Sequence, residues 1–404
     1  MFFVIIIKIS IKERRKKLLS RKSDVVVIGG GLIGTSITYH LSKLGVKVIL
    51  LEKEGIASGS SSGCEGGIFL QTKKPGLYLK MALSSAKRFD ILEEELDFKL
   101  EYVKRGGMLI IRNEEELKVM ESRLEKQRAI GLEVSLLDKK QAKEMEPELS
   151  DKILGATFSA MDGRINPMYL CHAFTRAAQR LGANIFTNTK VIAIKKRRGR
   201  VVAVKTINGD ILTGVIVNAA GAYAPEIGKM VDLNIPIKPR RGQLLVTEIV
   251  PQLVYSQVTE AKYIALKYNP KIAEEKDGAG AGTIHPIQEG NILIGSTREF
   301  VGYDKGNTFE GINMLARNAI NLIPKLKDVN IIRTYAGLRP YTADGFPILG
   351  KVKGIEGFIM AAGHEGDGIA LAPITGELIA QLIVNGDTTF PLEEFRLERF
   401  LNNN

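Results

Sequence analysis

The stretch Asp24-Val-Val-Val-Ile-Gly-Gly-Gly-Leu-Ile-Gly34 decides the fold, read together with the apolar segment to Leu44, Gly45, and the run Val46–Leu51 that ends on Glu52. Val25 to Ile28 are four β-branched residues in succession, the pattern of a short strand buried on both faces. Gly29, Gly31 and Gly34 then satisfy the spacing G-x-G-x-x-G. The first permits a tight turn, the second lets backbone approach a pyrophosphate, and the third allows close packing of helix on strand. Leu32 and Ile33 open the helix, whose free N–H groups and positive dipole end suit phosphates. Glu52 lies eighteen residues beyond Gly34 at the end of the next strand, where a carboxylate can accept from ribose hydroxyls. The glycine spacing alone is weak. Strand before, helix after and acid at the end of the second strand together make a dinucleotide-binding βαβ unit, and a merely structural glycine loop would leave Glu52 without a reason.

The 404 residues, 45% hydrophobic and 25% charged, are ordinary globular material for one large or two intermediate domains. The net charge is +12, but eight of the Lys and Arg residues fall within residues 1–23 against Glu13 alone. The basicity is therefore largely terminal and marks no nucleic-acid surface on the folded body. The opening apolar run, Met1 to Ile7, is too short to span a bilayer, and its basic residues follow it, the reverse of a signal peptide. Three readings of this start stay open: a disordered or wrongly assigned beginning, a strand pairing loosely with the body, or a weak contact with an anionic membrane surface. Cys64 and Cys171 have no metal-like spacing, so this chain alone builds neither an iron–sulfur cluster nor a structural zinc site, and no metal is expected. So few cysteines fit a reducing, cytoplasmic setting.

Beyond Glu52 the chain enters a Ser/Gly loop, Gly55–Gly67. Helices are expected at Tyr78–Leu96, at the charged segment Glu114–Arg128 and at Asn166–Leu181. A strand at Asn184–Phe186 precedes a hairpin of Val191–Lys195 with Arg200–Thr206, whose basic tip reads as a solvated turn. Asn208-Gly209 marks a turn into a strand Ile211–Val217. From Ile235 to Thr297 strands dominate, at Gln243–Glu248, Tyr263–Lys267 and Ile292–Gly295, with an extended loop over Ala273–Gly282. An apolar helix, Ala370–Val384, closes the chain. This order predicts an α/β fold of two interleaved domains.

A simple NAD enzyme would continue into further βαβ repeats after such a motif. Here glycine-rich segments return late, at Asn218–Gly221 and Ala361–Gly368, which suits a longer cofactor reaching deep into the protein. Eight segments, in order, then carry a resemblance: VVVIGGGLIG, SSSGCEGGI, DGRINP (Asp162–Pro167), VNAAGAYAPEIG (Val217–Gly228), an RGQ turn (Arg241–Gln243), GSTREF, GLRPYTADGFPILG (Gly337–Gly350) and AAGHEGDGIALAPITGELIA (Ala361–Ala380). The chain resembles the D-amino-acid oxidase superfamily, in its glycine oxidase, sarcosine oxidase and proline/hydroxyproline dehydrogenase branch. The resemblance implies a Rossmann-type FAD-binding domain (24–80, 151–232 and 336–404) interleaved with a strand-rich α+β substrate domain (81–150 and 233–335), after a basic extension (1–23).

The same resemblance implies non-covalent FAD, because no cysteine stands at Leu338–Arg339, where monomeric sarcosine oxidases attach their flavin. Besides the glycine motif and Glu52 it implies cofactor contacts at Lys53, Ser61, Ser62, Gly66 and Gly67, at Val191, Ala220 and Gly221, and at Gly337. The closing loop adds Gly363, Gly366, Asp367, Gly368 and Ile369, where a helix N-terminus can stabilise charge on a reduced flavin. Arg339 matches the family arginine that grips a substrate carboxylate, a role suited to a planar guanidinium. His364 either faces the flavin or caps its loop. Tyr263, with Tyr268 as second choice, is the candidate to cover the substrate from a strand. His285 is either a site histidine or a turn residue, and Cys64 either adjoins the cofactor or simply packs. Glycine oxidase carries a second arginine where this chain has Glu365-Gly366-Asp367, so the substrate need not be glycine. The implied reaction is oxidation of a small amino acid (proline, hydroxyproline, sarcosine or glycine) by hydride transfer to flavin. The favoured form is the catalytic subunit of a dehydrogenase with a separate iron–sulfur or flavin subunit accepting electrons. The alternatives are an oxygen-using oxidase and a flavin-fold protein serving tRNA modification or membrane attachment through its basic start.

Overall fold

Strand Val25–Ile28 lies inside a six-stranded sheet, parallel to Val48–Leu51 on one side and to Val215–Asn218 on the other. The computed structural model describes residues 21–268, 280 and 282–400. It orders this sheet as Ile348–Lys351, Phe358–Ala362, Val215–Asn218, Val25–Ile28, Val48–Leu51 and Asn184–Phe186, with only the first pair antiparallel. Val25 and Val27 enter one core cluster, Val26 and Ile28 another. Both faces are covered, which is why these strands read as continuous apolar runs rather than alternating ones.

On one face the helices Leu32–Lys43 and Gly368–Val384 pack together. Ser36 Oγ donates to the carbonyl of Ala372 at 2.8 Å, and a Cβ at Gly376 would lie 2.2 Å from that hydroxyl, so glycine there sets the helix approach. The other face meets the four-stranded sheet of Val191–Arg197, Arg200–Thr206, Gly209–Leu212 and Arg21–Lys22. The last of these is parallel to Gly209–Leu212 and is the described end of the basic extension; residues 1–20 lie outside the described residues.

The second large sheet has eight strands: Ile331–Tyr341, Lys238–Thr247, Ile292–Gly295, Thr283–Pro286, Gln257–Glu260, Gly107–Ile111, Gly155–Ser159 and Ser135–Asp138. Gly155–Ser159 pairs here, although residues from 151 onward were assigned from the sequence to the nucleotide-binding half. Ile331–Tyr341 crosses the expected 335/336 boundary as one strand.

The expected helices form at Leu77–Leu96, Glu114–Arg128 and Pro167–Arg180, the last capped by Asn166. Three local expectations change. Lys262–Tyr268 is a helix, not a strand, so Tyr263 approaches the site from a helix. Its seven residues are too short for periodicity to decide, and tertiary bonds do: Lys267 reaches Asp367 at 2.7 Å and the Tyr268 hydroxyl donates to the carbonyl of Thr72 at 2.8 Å. The strand expected at Ile211–Val217 divides at Thr213-Gly214, because Gly209–Leu212 pairs with Arg200–Thr206 while Val215–Asn218 joins the nucleotide-binding sheet. Arg241–Gln243 is not a turn but lies within the strand Lys238–Thr247. The loop expected at Ala273–Gly282 falls outside the described residues apart from Gly280 and Gly282.

Candidate active site

The turn after Val25–Ile28 shows what each glycine does. Gly29 has φ 115°, and a Cβ there would lie 2.4 Å from the carbonyl oxygen of Ala219. Gly34 faces Gly29, whose carbonyl oxygen a Cβ would meet at 1.9 Å, so it serves packing and does not line the cleft. Gly31 does line it, as the N-cap of a helix to which it brings no capping side chain of its own. Glu52 is buried at the end of its strand, Oε2 accepting from Gly30 N at 2.7 Å and Oε1 from Glu54 N at 2.8 Å. Each carboxylate oxygen keeps a second lone pair for a ribose hydroxyl.

The Ser/Gly loop runs along the same cleft. Ser61 Oγ accepts from Leu32 N at 3.0 Å, and Ser60 Oγ donates to the carbonyl of Leu338 at 2.5 Å. Gly337 lies outside the cleft and presses on this loop, since a Cβ there would be 2.1 Å from the carbonyl oxygen of Gly63. Ser62 also lies outside, donating to the carbonyl of Gly59 at 3.3 Å. The structure brings the other expected cofactor residues to one cleft: Gly29, Gly31, Leu32, Ile33, Glu52, Lys53 and Ser61; Gly66, Gly67, Val191, Ala220 and Gly221; and Gly363 with Gly366–Ile369. Arg339, Tyr263, His364, His285 and Cys64 line it as well.

At the inner end, Arg339 lies over Gly242, where a Cβ would be 2.2 Å from its Nη1. Nη1 donates to the carbonyl of Thr297 at 3.0 Å, Nη2 pairs with Ser296 Oγ, and Nε is 4.0 Å from Glu365 Oε1. Gly366 stands between Arg339 and Tyr263: its Cβ would lie 3.5 Å from the Tyr263 hydroxyl and 3.9 Å from Arg339 Nε. Thus the missing side chain at Gly366 leaves a space flanked by a phenol and a guanidinium.

Two buried charge clusters brace this end, and neither was legible in the sequence. Glu365, at φ 50°, pairs with Arg240, and both side chains are fully buried. Burial opposes the Glu365 charge, but Arg240, Arg298 and Arg339 outweigh it and hold the carboxyl far below its ordinary range. Asp367 accepts from Lys267 at 2.7 Å and from the Tyr78 hydroxyl at 2.7 Å, with Lys73 Nζ at 2.7 Å. Burial opposes this charge too, and Lys267 and Lys73 again keep the carboxyl low. Glu365 and Asp367 stood in a segment already singled out. Arg298 stands in the GSTREF segment, whereas Lys73, Arg240 and Lys267 carry no local signal, because their partners lie far away in the chain.

The two histidines that line the cleft, His364 and His285, are neutral. Burial takes His364 down to about 3 and His285 down to about 4. His364 Nε2 is 3.2 Å from Thr375 Oγ1, so the ring both lines the cleft and ties the loop to the last helix. His285 sits in the strand Thr283–Pro286 rather than a turn, and among the described residues its Nδ1 has no hydrogen-bond partner. Burial raises the Cys64 thiol to about 12, so it stays protonated at neutral pH.

A glycine cradle at a helix N-terminus, an acid placed for a ribose, and a cleft continuing to an arginine fit the whole length of FAD. They define a flavin-dependent oxidoreductase. The chain belongs to the family described as FAD dependent oxidoreductase (DAO), which matches residues 24–382, and FAD is its cofactor. It is 31% identical to hydrogen cyanide synthase subunit HcnC of Pseudomonas aeruginosa, over 93% of this chain and 95% of that protein. It is also 31% identical to a glycine oxidase of Bacillus licheniformis, over 94% of this chain and 98% of that one. The crystal structure of L-proline dehydrogenase from P. horikoshii matches with a TM-score of 0.86 at 30% identity, covering 95% of this chain and 99% of that one. Among the described residues no helix is long and apolar enough to cross a membrane.

Proposed function

We propose that this enzyme oxidises a small amino acid at the carbon between its amine and its carboxylate. The observation that carries this reading is Arg339, a guanidinium lining the inner end of the cleft beside the Tyr263 hydroxyl and Gly366. FAD, when bound, supplies the hydride acceptor. Arg339 takes the substrate carboxylate, and Tyr263 covers the substrate from its helix. The buried Glu365 keeps the guanidinium in place. Gly31 and the first turn of helix Leu32–Lys43 would hold the pyrophosphate and Glu52 the ribose, and the N-terminus of helix Gly368–Val384 would stabilise negative charge on the reduced cofactor. That neither Cys64 nor Cys171 stands at Leu338–Arg339 supports non-covalent attachment. Most of the catalysis asked of the protein is positioning.

The dehydrogenase form is favoured over the oxidase, with electrons leaving to a separate iron–sulfur or flavin subunit in the cytoplasm. It is supported by likeness to a protein named as a synthase subunit and to a proline dehydrogenase. The oxidase reading draws on the glycine oxidase likeness. A screen of glycine, sarcosine and both proline enantiomers with an artificial electron acceptor tests the reaction, and no turnover with any amino acid would refute it. Mixing reduced enzyme with air-saturated buffer separates the two forms: reoxidation within milliseconds sinks the dehydrogenase reading. Turnover that survives deletion of residues 1–22 would set aside a function seated in the basic start.

A further inference from the structure

We infer that Glu65 receives the substrate's amine, opposite the arginine that takes its carboxylate; this rests on the amino-acid reading above. Glu65 and Arg339 line the same cleft and approach the same short segment. A Cβ on Gly295 would lie 2.2 Å from Glu65 Oε1, so glycine there makes room for the carboxylate. The next two residues hold Arg339, through Ser296 Oγ and the carbonyl of Thr297. A carboxylate and a guanidinium thus approach one three-residue segment, Gly295–Thr297.

Three other carboxylates that line this cleft are engaged. Glu52 accepts two backbone N–H groups, Glu365 pairs with Arg240, and Asp367 with two lysines. Among the described residues no donor or cation pairs with Glu65. Its titratable neighbours are Cys64, His285 and Tyr335; Arg339 faces the first, Arg164 the last two, and Arg333 the last. Burial raises the Cys64 thiol and the Tyr335 phenol and lowers His285, so all three are uncharged at neutral pH and none offsets the carboxylate.

An amino acid carries its ammonium one carbon from its carboxylate, and the Glu65–Arg339 pair is complementary to those two charges. The ammonium donates a hydrogen bond to Glu65. Transfer of that proton breaks an N–H bond and forms an O–H bond on Glu65, with no change in electron count. What remains is the neutral amine, whose lone pair oxidation of the neighbouring carbon requires. The same pair discriminates against 2-hydroxy acids, which offer Glu65 no cation.

The test uses full-length, FAD-loaded enzyme, the substrate found in the amino-acid screen, and its nitrogen-free carboxylate counterpart as a competitive inhibitor. In E65Q, kcat/KM should fall about 10- to 100-fold while Ki for the counterpart stays within a factor of about three. E65D, which keeps the charge but withdraws it, should recover part of the loss. Wild-type kcat/KM in E65Q, or equal weakening of both ligands, overturns the assignment. Should E65Q fail to take up FAD, E65D decides: reduced kcat/KM with retained Ki supports the role, and any other result overturns it. R339A should weaken both ligands; if it weakens neither, the amino-acid reading itself fails, whatever E65Q shows.

Discussion

Replacing Glu365 by glutamine keeps the shape of the loop and removes one charge from a place where three guanidiniums depend on it. The Glu365 and Arg240 side chains are each 0% exposed, Arg298 is 2% exposed, and Arg339 Nε is 4.0 Å from the same carboxylate. Removing one partner of a buried pair costs about 3–5 kcal/mol, because the other charge stays desolvated without compensation. Unfolding entropy of about 2.1 cal/mol/K per residue, over one cooperative chain of this length, converts that to a Tm lower by roughly 4–6 °C. The sign with pH follows from the depressed folded-state pKa of Glu365. Its stabilisation is present above the unfolded value, about 4.3, and is lost only as pH falls through the much lower folded value. The E365Q deficit should therefore be the same at pH 6 and pH 8. Differential scanning calorimetry of FAD-loaded protein measures it, and the double variant R240M/E365Q should lose less than the two single variants together. A Tm within about 1 °C of wild type would refute the reasoning, since ordinary surface substitutions already scatter that far.

Arg339→Ala should raise KM about 10- to 100-fold, as expected for one lost charge-assisted contact to a carboxylate; steady-state kinetics check it. Gly337→Ala would place a Cβ 2.1 Å from the Gly63 carbonyl oxygen, displacing the Ser/Gly loop. Its flavin-to-protein absorbance ratio after gel filtration should fall, and an unchanged ratio would count against the close approach of these two glycines. The buried neutral histidines give an acid limb. Their folded pKa values, about 3 for His364 and about 4 for His285, lie below the ordinary value. The unfolded chain therefore binds more protons as pH falls below about 6.5, and stability declines from there toward the folded values. Tm measured at pH 7, 6 and 5 should drop more steeply in wild type than in His364→Asn.

Little of the brace around Arg339 could be read from the chain, although Arg339 itself could. Arg240 and Glu365 are 125 residues apart, and Lys267 and Asp367 100 apart. Arg240 and Lys267 look locally like ordinary surface charges, and although Glu365 and Asp367 stand in a recognisable segment, only burial reveals which cations they pair with. Tyr263 shows the converse case. Its residue type pointed toward the site, but seven residues of mixed pattern could not separate strand from helix, and contacts to Thr72 and Asp367 did so.

What the sequence by itself determined was the nucleotide-binding unit. Val25–Ile28, the glycine turn, the helix and Glu52 interact within thirty residues, and each follows from backbone sterics or continuous apolar burial. The tertiary structure decided which carboxylates are engaged and which face the cleft. Glu52 is bonded locally to Gly30 and Glu54, and Glu365 is neutralised by arginines from distant segments, whereas among the described residues Glu65 approaches Gly295 and has no ion-pair partner. The reason is physical: the energy of a buried charge depends on everything that surrounds it, and those surroundings are assembled from distant segments only when the chain folds.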